Sequence, residues 1–435
     1  MKRFWMFALL LAGSLAVLTV PTLANAAEDM DDINAGMGQL SQRVGAVEKI
    51  LGFKLGGDMR FREEYFMQDQ DNKPTGAITA GISDRNRVRV RLRFGGERAW
   101  GDSVKVGFRL ATGVGTDITS TNQTLTGDFQ LKPILVDRAY ITWAPSLFEN
   151  KIKFEMGKIA NPITKSPINW DDDVNPEGVA FTAEPIAGSR LRACYWSTRE
   201  NSTNKDAFFY NVQLEQSFKP VSDVDCLFAV GYQYVPYINA YLKTPPAGES
   251  IGGAAGVDLA GMVVNAAAAG KMPEPHIVDG ILTVKYKMGD VPFAWTLHGC
   301  YNLDSFNINP LTVPAVAVVN PTSNASNALA MFAQVAVGKV ATGGDWAGSL
   351  EFGYIEPNAV FGYYSDSDSG VGFNNNVWLK GVAEVGLEEG LSFKLGQYAV
   401  WRQNYDVFGN TPNATLGGTS HAPVFRTQAD FVAKL

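Results

Sequence analysis

Residues 84–96 read DRNRVRVRLRFGG. Arg85, Arg87, Arg89, Arg91 and Arg93 fall on every second position, and from Val88 the gaps are filled by Val88, Val90, Leu92 and Phe94. A helix would scatter these charges around its circumference. An extended strand puts every arginine on one face and every apolar side chain on the other. Such a strand belongs between a greasy medium and a wet one.

The same period of two governs the chain from Phe53 onward. KLGGDMRFREEY (54–65) sets Leu55, Met59, Phe61 and Tyr65 against Lys54, Asp58, Arg60, Arg62 and Glu64. SVKVGFRLAT (103–112) sets Val104, Val106, Phe108 and Leu110 against Lys105 and Arg109. AFFYNVQLEQ (207–216) and VFRTQADFVAKL (424–435) repeat the pattern. Short joins such as KMGDVP and LEEGL alternate with long ones near 66–84, 111–132, 158–177, 197–206, 235–276, 303–327, 355–375 and 402–423. This predicts an all-β chain of about sixteen strands, each about ten residues long, the length a tilted strand needs to cross a membrane.

Soluble sandwiches also alternate, but they need a packed core, and here the non-apolar face carries Arg, Lys and Glu on strand after strand. Trp143, Trp295, Trp346 and Trp401 stand near strand ends, as an interfacial girdle requires. In lipid an open sheet edge leaves unpaired N–H and C=O groups, so the sheet must close into a transmembrane antiparallel β-barrel over residues 53–435.

The rest of the chain agrees with that destination. Lys2 and Arg3, an apolar run and Ala24-Asn25-Ala26 make residues 1–26 an expected signal peptide, with a single membrane anchor as the alternative. In 27–52, Ile33, Met37, Leu40, Val44, Val47 and Leu51 form a heptad stripe interrupted by Gly36, Gly38 and Gly45. A short periplasmic helix or coiled coil is expected there. Among 435 residues the formal charge is −7, which argues against a nucleic-acid partner. Cys194, Cys226 and Cys300 are too few and too widely spaced for a disulfide framework.

Chemistry concentrates on charge. Arg60, Arg62, Arg87, Arg89, Arg91, Arg93 and Arg109 are expected to line the pore, either as a field acting on solutes or as a face paired internally with Asp58 and Glu64. WDDDVNPEG (170–178) reads as an acidic wall or, from Asp171, Asp173 and Asn175, as the opening of a calcium loop whose turn glycine is replaced by Pro176. SDSDSG (365–370) has similar spacing and reads as a solvated turn. His276, His298 and His421 share no metal-ligand spacing, and NAAAAGKM (265–272) lacks the first glycine and the Ser/Thr of a phosphate loop. No Ser–His pairing is visible along the sequence. No enzyme chemistry, cofactor or metal is expected.

VDRAYITW (136–143), MGKIANP (156–162) and NWDDDVNPEGVAF (169–181), with the arginine-alternating strand, resemble the bacterial outer-membrane porins of similar length. The resemblance implies a sixteen-stranded, trimeric diffusion channel set among outer-membrane lipid and lipopolysaccharide, passing small hydrophilic solutes or ions. It also implies a third long loop that enters the lumen, here 158–177, with Asp171, Asp172, Asp173 and Glu177 facing the arginines. One departure is Leu435, where such porins usually end in phenylalanine. The alternative function is a barrel that sheathes a partner protein, as an electron-transfer conduit or an adhesin. An outer-membrane hydrolase is a third.

Overall fold

The computed structural model of the protein describes residues 52–68, 85–115, 117–125, 128–149, 151–200, 206–236, 274–303, 328–356, 359–369, 374, 376–402 and 423–434. The expected signal peptide and nearly all of the expected helical segment at 27–52 lie outside the described residues.

The barrel strands are β1 (Lys54–Gln68), β2 (Arg85–Trp100), β3 (Val104–Thr112), β4 (Ile134–Trp143), β5 (Ile152–Lys158) and β6 (Glu177–Ala183). They continue as β7 (Ser189–Arg199), β8 (Ala207–Val221), β9 (Val224–Tyr234), β10 (His276–Met288) and β11 (Val291–Asn302). The last five are β12 (Leu329–Gly338), β13 (Trp346–Ile355), β14 (Asn376–Glu388), β15 (Leu391–Arg402) and β16 (Val424–Lys434). Each pairs with the next, and β16 pairs antiparallel with β1, Asp58 opposite Lys434 and Arg62 opposite Asp430. The sheet is thus a closed sixteen-strand antiparallel barrel, as the alternation demands. A two-residue strand, Gln123–Thr124, adds to β2 at Arg89 and Val90.

Closure sorts the alternating side chains. On β1, Met59, Phe61 and Tyr65 are exposed on the outer wall, while Arg62, Glu64 and Phe66 are buried on the inner one. The outer wall carries Phe94, Leu214, Phe228, Leu297, Leu350 and Leu379, the apolar surface that lipid requires. Trp100, Trp143 and Trp346 are exposed beside short turns, at the end of the barrel that also holds the start of β1 and the end of β16. Of the four tryptophans expected near strand ends, Trp143 and Trp346 share this end of the barrel, while Trp401 stands at the opposite one. The tightest turns need glycine: Gly390 has φ +76°, open to a residue without Cβ.

Strand alternation breaks once in a way that serves the lumen. Between β3 and β4, Arg109 lies opposite Arg138 and Leu110 opposite Val136, so Asp137 is an extra residue on β4. The bulge brings Asp137 into contact with the inward Arg109 while the neighbouring Arg138 reaches Asn175.

The interior is partly filled. Ile159, Ile163, Ile168, Trp170 and Val174 of the β5–β6 connection pack with Val360, Phe361 and Tyr364 of the β13–β14 connection. The rings of Trp170 and Tyr364 stack at 4.8 Å, and both meet Phe209 of β8 edge-on. Trp378 of β14 lies flat across Gly353 of β13, where a Cβ would collide with its ring. The apolar core of this protein therefore sits inside the barrel, between two inward connections and the wall.

Candidate functional site

The site is built where those connections approach the arginine wall. The segment 159–176 is held at several points. Thr164 N–H donates to Gln213 Oε1 at 2.8 Å, and the Thr164 hydroxyl meets Glu215, both on β8. Asp173 accepts from Thr121 N–H at 3.1 Å and meets Arg93 at 3.4 Å. Asp171 N–H donates to Tyr364 O at 2.6 Å, Asp366 N–H to Pro167 O at 3.0 Å, and Ser367 N–H to Asp171 Oδ2 at 2.9 Å. Ser367 Oγ in turn donates to Thr119 O at 3.1 Å. Three long connections thus interlock inside the barrel.

Six of the seven arginines singled out in the sequence, all but Arg109, meet in one mesh of ion pairs and hydrogen bonds. Arg91 donates twice to Asp58 Oδ1, at 2.9 and 2.6 Å, and Arg93 donates to Asp58 Oδ2 at 2.7 Å. Arg87 pairs with Glu64, and Arg89 lies 3.9 Å from the same carboxylate. Arg60 donates to Asn122 at 2.6 Å and sits 3.8 Å from Asp430. Arg62 binds Asp430 with two hydrogen bonds and Asp368 with a third. Arg109 stands apart with Asp137. The internal pairing with Asp58 and Glu64 read from the sequence is therefore present.

Arg426 completes the mesh from β16, touching both Glu64 and Asp368. Its seven guanidinium groups, of Arg60, Arg62, Arg87, Arg89, Arg91, Arg93 and Arg426, share five carboxylates: Asp58, Glu64, Asp173, Asp368 and Asp430. With all groups ionised, the mesh keeps two positive charges. Arginine holds its proton through such crowding where another base would lose it.

The acidic residues divide. Asp173 joins the mesh, and Asp171 is buried in the interlock with 365–367. Asp172 pairs only with Lys165, and its side chain is 96 % exposed to the lumen. Glu177 opens β6, pairs with Lys158 and is largely exposed, away from the arginines. Asn175 is occupied by Arg138 and Asp137, so the calcium-like spacing of 171–175 is taken up by protein partners.

Sequence reasoning missed the part played by 365–369. Asp366 and Asp368 are no free turn: Asp368 reaches Arg62 at 3.0 Å and Arg426 at 2.6 Å. Burial would raise the Asp368 carboxyl, but Arg426, Arg62 and Arg60 hold it well below the ordinary range. Burial and the nearby Asp368 raise Asp366, and burial with Asp366 and Asp173 raises Asp171. Two carboxyls of the interlock therefore hold a proton more tightly than a free carboxyl, and the one against the arginines less tightly. Also invisible along the chain is the meeting of Ser166 Oγ with His298 Nδ1 at 2.6 Å.

A cavity of about 520 Å³ remains between these elements, lined by Arg60, Arg62, Arg91 and Arg93 on one side and Lys165, Asp171, Asp172 and Asp173 on another. Lys380, Lys394, Tyr398 and Glu351 face it from the wall beyond. A second cavity, about 960 Å³, lies on the other flank of Trp170 and Asp173, against β3–β7, and includes Glu177.

Residues 47–245 match a family described as "Putative porin". No curated protein matches the chain. Among solved structures, Pseudomonas putida OprB at high pH superposes with a TM-score of 0.53 at 9 % identity, covering 90 % of this chain and 96 % of that one. The anion-selective porin from Comamonas acidovorans gives 0.47 at 10 % identity, over 88 % and 99 % of the two chains. Salmonella typhi OmpF in complex with daunomycin gives 0.46 at 8 % identity, over 88 % and 97 %. The family match covers rather less than half of the chain, and with the closed sixteen-strand wall around a charged lumen it supports an outer-membrane diffusion channel.

Proposed function

We propose that this protein passes small hydrophilic solutes and ions by passive diffusion through the 520 Å³ passage, and that the arginine mesh makes it favour anions. The observation that carries the reading is the surplus of guanidinium over carboxylate on the wall facing segment 159–176. A fixed charge in a narrow, low-dielectric passage raises the local concentration of counter-ions. Asp172 opposes that field from the loop, which makes the preference moderate rather than absolute. Arg60, Arg62, Arg91 and Arg93 act as the pore-lining set, and Arg87, Arg89 and Arg109 support the wall behind them.

The functional unit is a homotrimer seated in outer-membrane lipid and lipopolysaccharide, and the protein is a channel rather than an enzyme. A sheath for a partner protein is not favoured, because two of the chain's own connections occupy the bore. Planar-bilayer recording of the purified protein tests the reading. Discrete unitary steps with an anion-favouring reversal potential in a potassium chloride gradient are expected. Featureless current, or a cation-favouring potential, would count against it.

A further inference from the structure

We infer that His298 is a positioning residue that sets the bore, by fastening the inward segment 159–176 to the wall across from the arginines. The inference rests on reading that segment as the constriction. His298 projects inward from β11 and is 3 % exposed. Its Nδ1 lies 2.6 Å from Ser166 Oγ, and its Nε2 lies 3.4 Å from Asp279 Oδ2 of β10. Cys300 Sγ stands 3.3 Å from the same Nε2.

Asp279 explains why the ring is held. Its side chain is buried, and neither carboxylate oxygen makes a hydrogen bond among the described residues, the nearest ring nitrogen being His298 Nε2 at 3.4 Å. A buried carboxylate left without compensation is costly, and the ring edge that faces it is Nε2. With its proton on Nε2 the ring leaves Nδ1 to accept the Ser166 O–H; with a proton on Nδ1 it donates to Ser166 Oγ. Either way the bridge from wall to segment survives.

Ser166 is also well placed to matter. It directly follows Lys165, whose ammonium pairs with the exposed Asp172. The other fastenings run to different elements: Thr164 to β8, Pro167 and Asp171 to the 364–367 stretch, and Asp173 to Arg93 and Thr121, so the Ser166 bridge is the tie to β11.

A serine, a histidine and an aspartate in series also suit acyl transfer, but Ser166 is buried between segment and wall at the edge of the cavity, which suits an anchor better than a nucleophile. The test is single-channel recording of the full-length protein carrying Ser166→Ala, His298→Ala, both together, or His298→Gln. Both alanine variants are expected to raise the unitary conductance and to weaken ion preference, and the double variant to do no more than either alone. The glutamine amide retains an N–H and a carbonyl, so His298→Gln is expected to restore much of the original conductance. Heat-modifiable migration on gels reads the barrel separately, and Ser166→Ala removes no wall residue. Alanine variants that fold yet conduct as the unaltered protein does, strictly additive effects, or labelling of Ser166 by a fluorophosphonate would overturn the inference. Loss of discrete steps in the unaltered protein would instead remove the channel reading beneath it.

Discussion

Arg62 and Asp430 face each other across the seam where the first and last strands meet, joined by two parallel hydrogen bonds of 2.6 and 2.8 Å. Fork-to-fork pairing of this kind is strong and directional. Both side chains are 4 % exposed, so removing either leaves the other buried with a single remaining partner, Asp368 at 3.0 Å for Arg62 and Arg60 at 3.8 Å for Asp430. Truncating one partner of such a pair costs about 3–5 kcal/mol. Arg62→Ala and Asp430→Ala should each lower the temperature of heat modification, and the double variant should fall short of their sum by about 0.5–3 kcal/mol. Additive losses would show that the pair does not hold the seam.

The field of the arginine wall is open to direct measurement. Arg91 and Arg93 both line the passage and share Asp58, so replacing both with alanine also exposes a bare carboxylate. At about 9 Å a unit charge contributes roughly 0.5 kcal/mol in water and about 2 kcal/mol at an effective dielectric near 20. The reversal potential should move toward cations, and the movement should shrink in molar salt. An unchanged potential at low salt would rule these arginines out of the passage.

Asp172 should act with the opposite sign. It is the acid of segment 159–176 that projects freely, so Asp172→Asn should strengthen anion preference without altering heat modification. Asp173→Asn differs, because it also releases Arg93 and Thr121 and should increase open-channel noise. Equal effects of the two substitutions would mean that the interlock contributes nothing beyond charge.

The interlock of 159–176 with 365–369 should respond to pH. Asp171 and Asp366 have carboxyls raised above the ordinary value of 3.8 in the folded protein. A raised acid contributes stability that is complete below its unfolded value and is lost as pH rises through its folded one. Stability should therefore decline as pH rises from about 4 through the raised values, while Asp368, held low, shows its loss only in strong acid. Asp171→Asn should flatten the decline in heat-modification temperature as pH rises above about 4. A variant with the original slope would clear Asp171 of the effect.

Oligomeric state provides a further check. Unheated, detergent-folded protein should migrate in SDS as a trimer and resolve to monomers on boiling, with light scattering in agreement. Monomer by both methods would remove the trimer.

Much of this was legible in the chain before any coordinates. Alternation along 84–96 set the inner and outer faces of β2, and the eight long joins fell between the strands that the structure joins at one end. The face each arginine takes follows from a period of two. Its partner does not, since Arg62 finds Asp368, 306 residues away, only once the barrel has closed. The same limit hid Ser166 from His298. SDSDSG reads as a solvated turn because local composition cannot reveal that a turn is folded inward against arginines. The bulge at Asp137 also escaped, because strict alternation gives adjacent residues opposite faces.

The seam has a consequence in time. Every other pairing between barrel strands joins neighbours in sequence, whereas β1 meets β16 across nearly the whole folded chain, from Asp58 to Lys434. Hairpins can form as the polypeptide emerges, but the first strand must wait for the last. The entropy of closing so long a loop adds little, since each doubling of length costs only about 0.6 kcal/mol. What the wait does impose is a period in which β1 and β15 offer bare hydrogen-bonding edges to any passing strand. A chain halted before β16 would keep those edges, and its fate would be capture or aggregation rather than a slightly smaller pore.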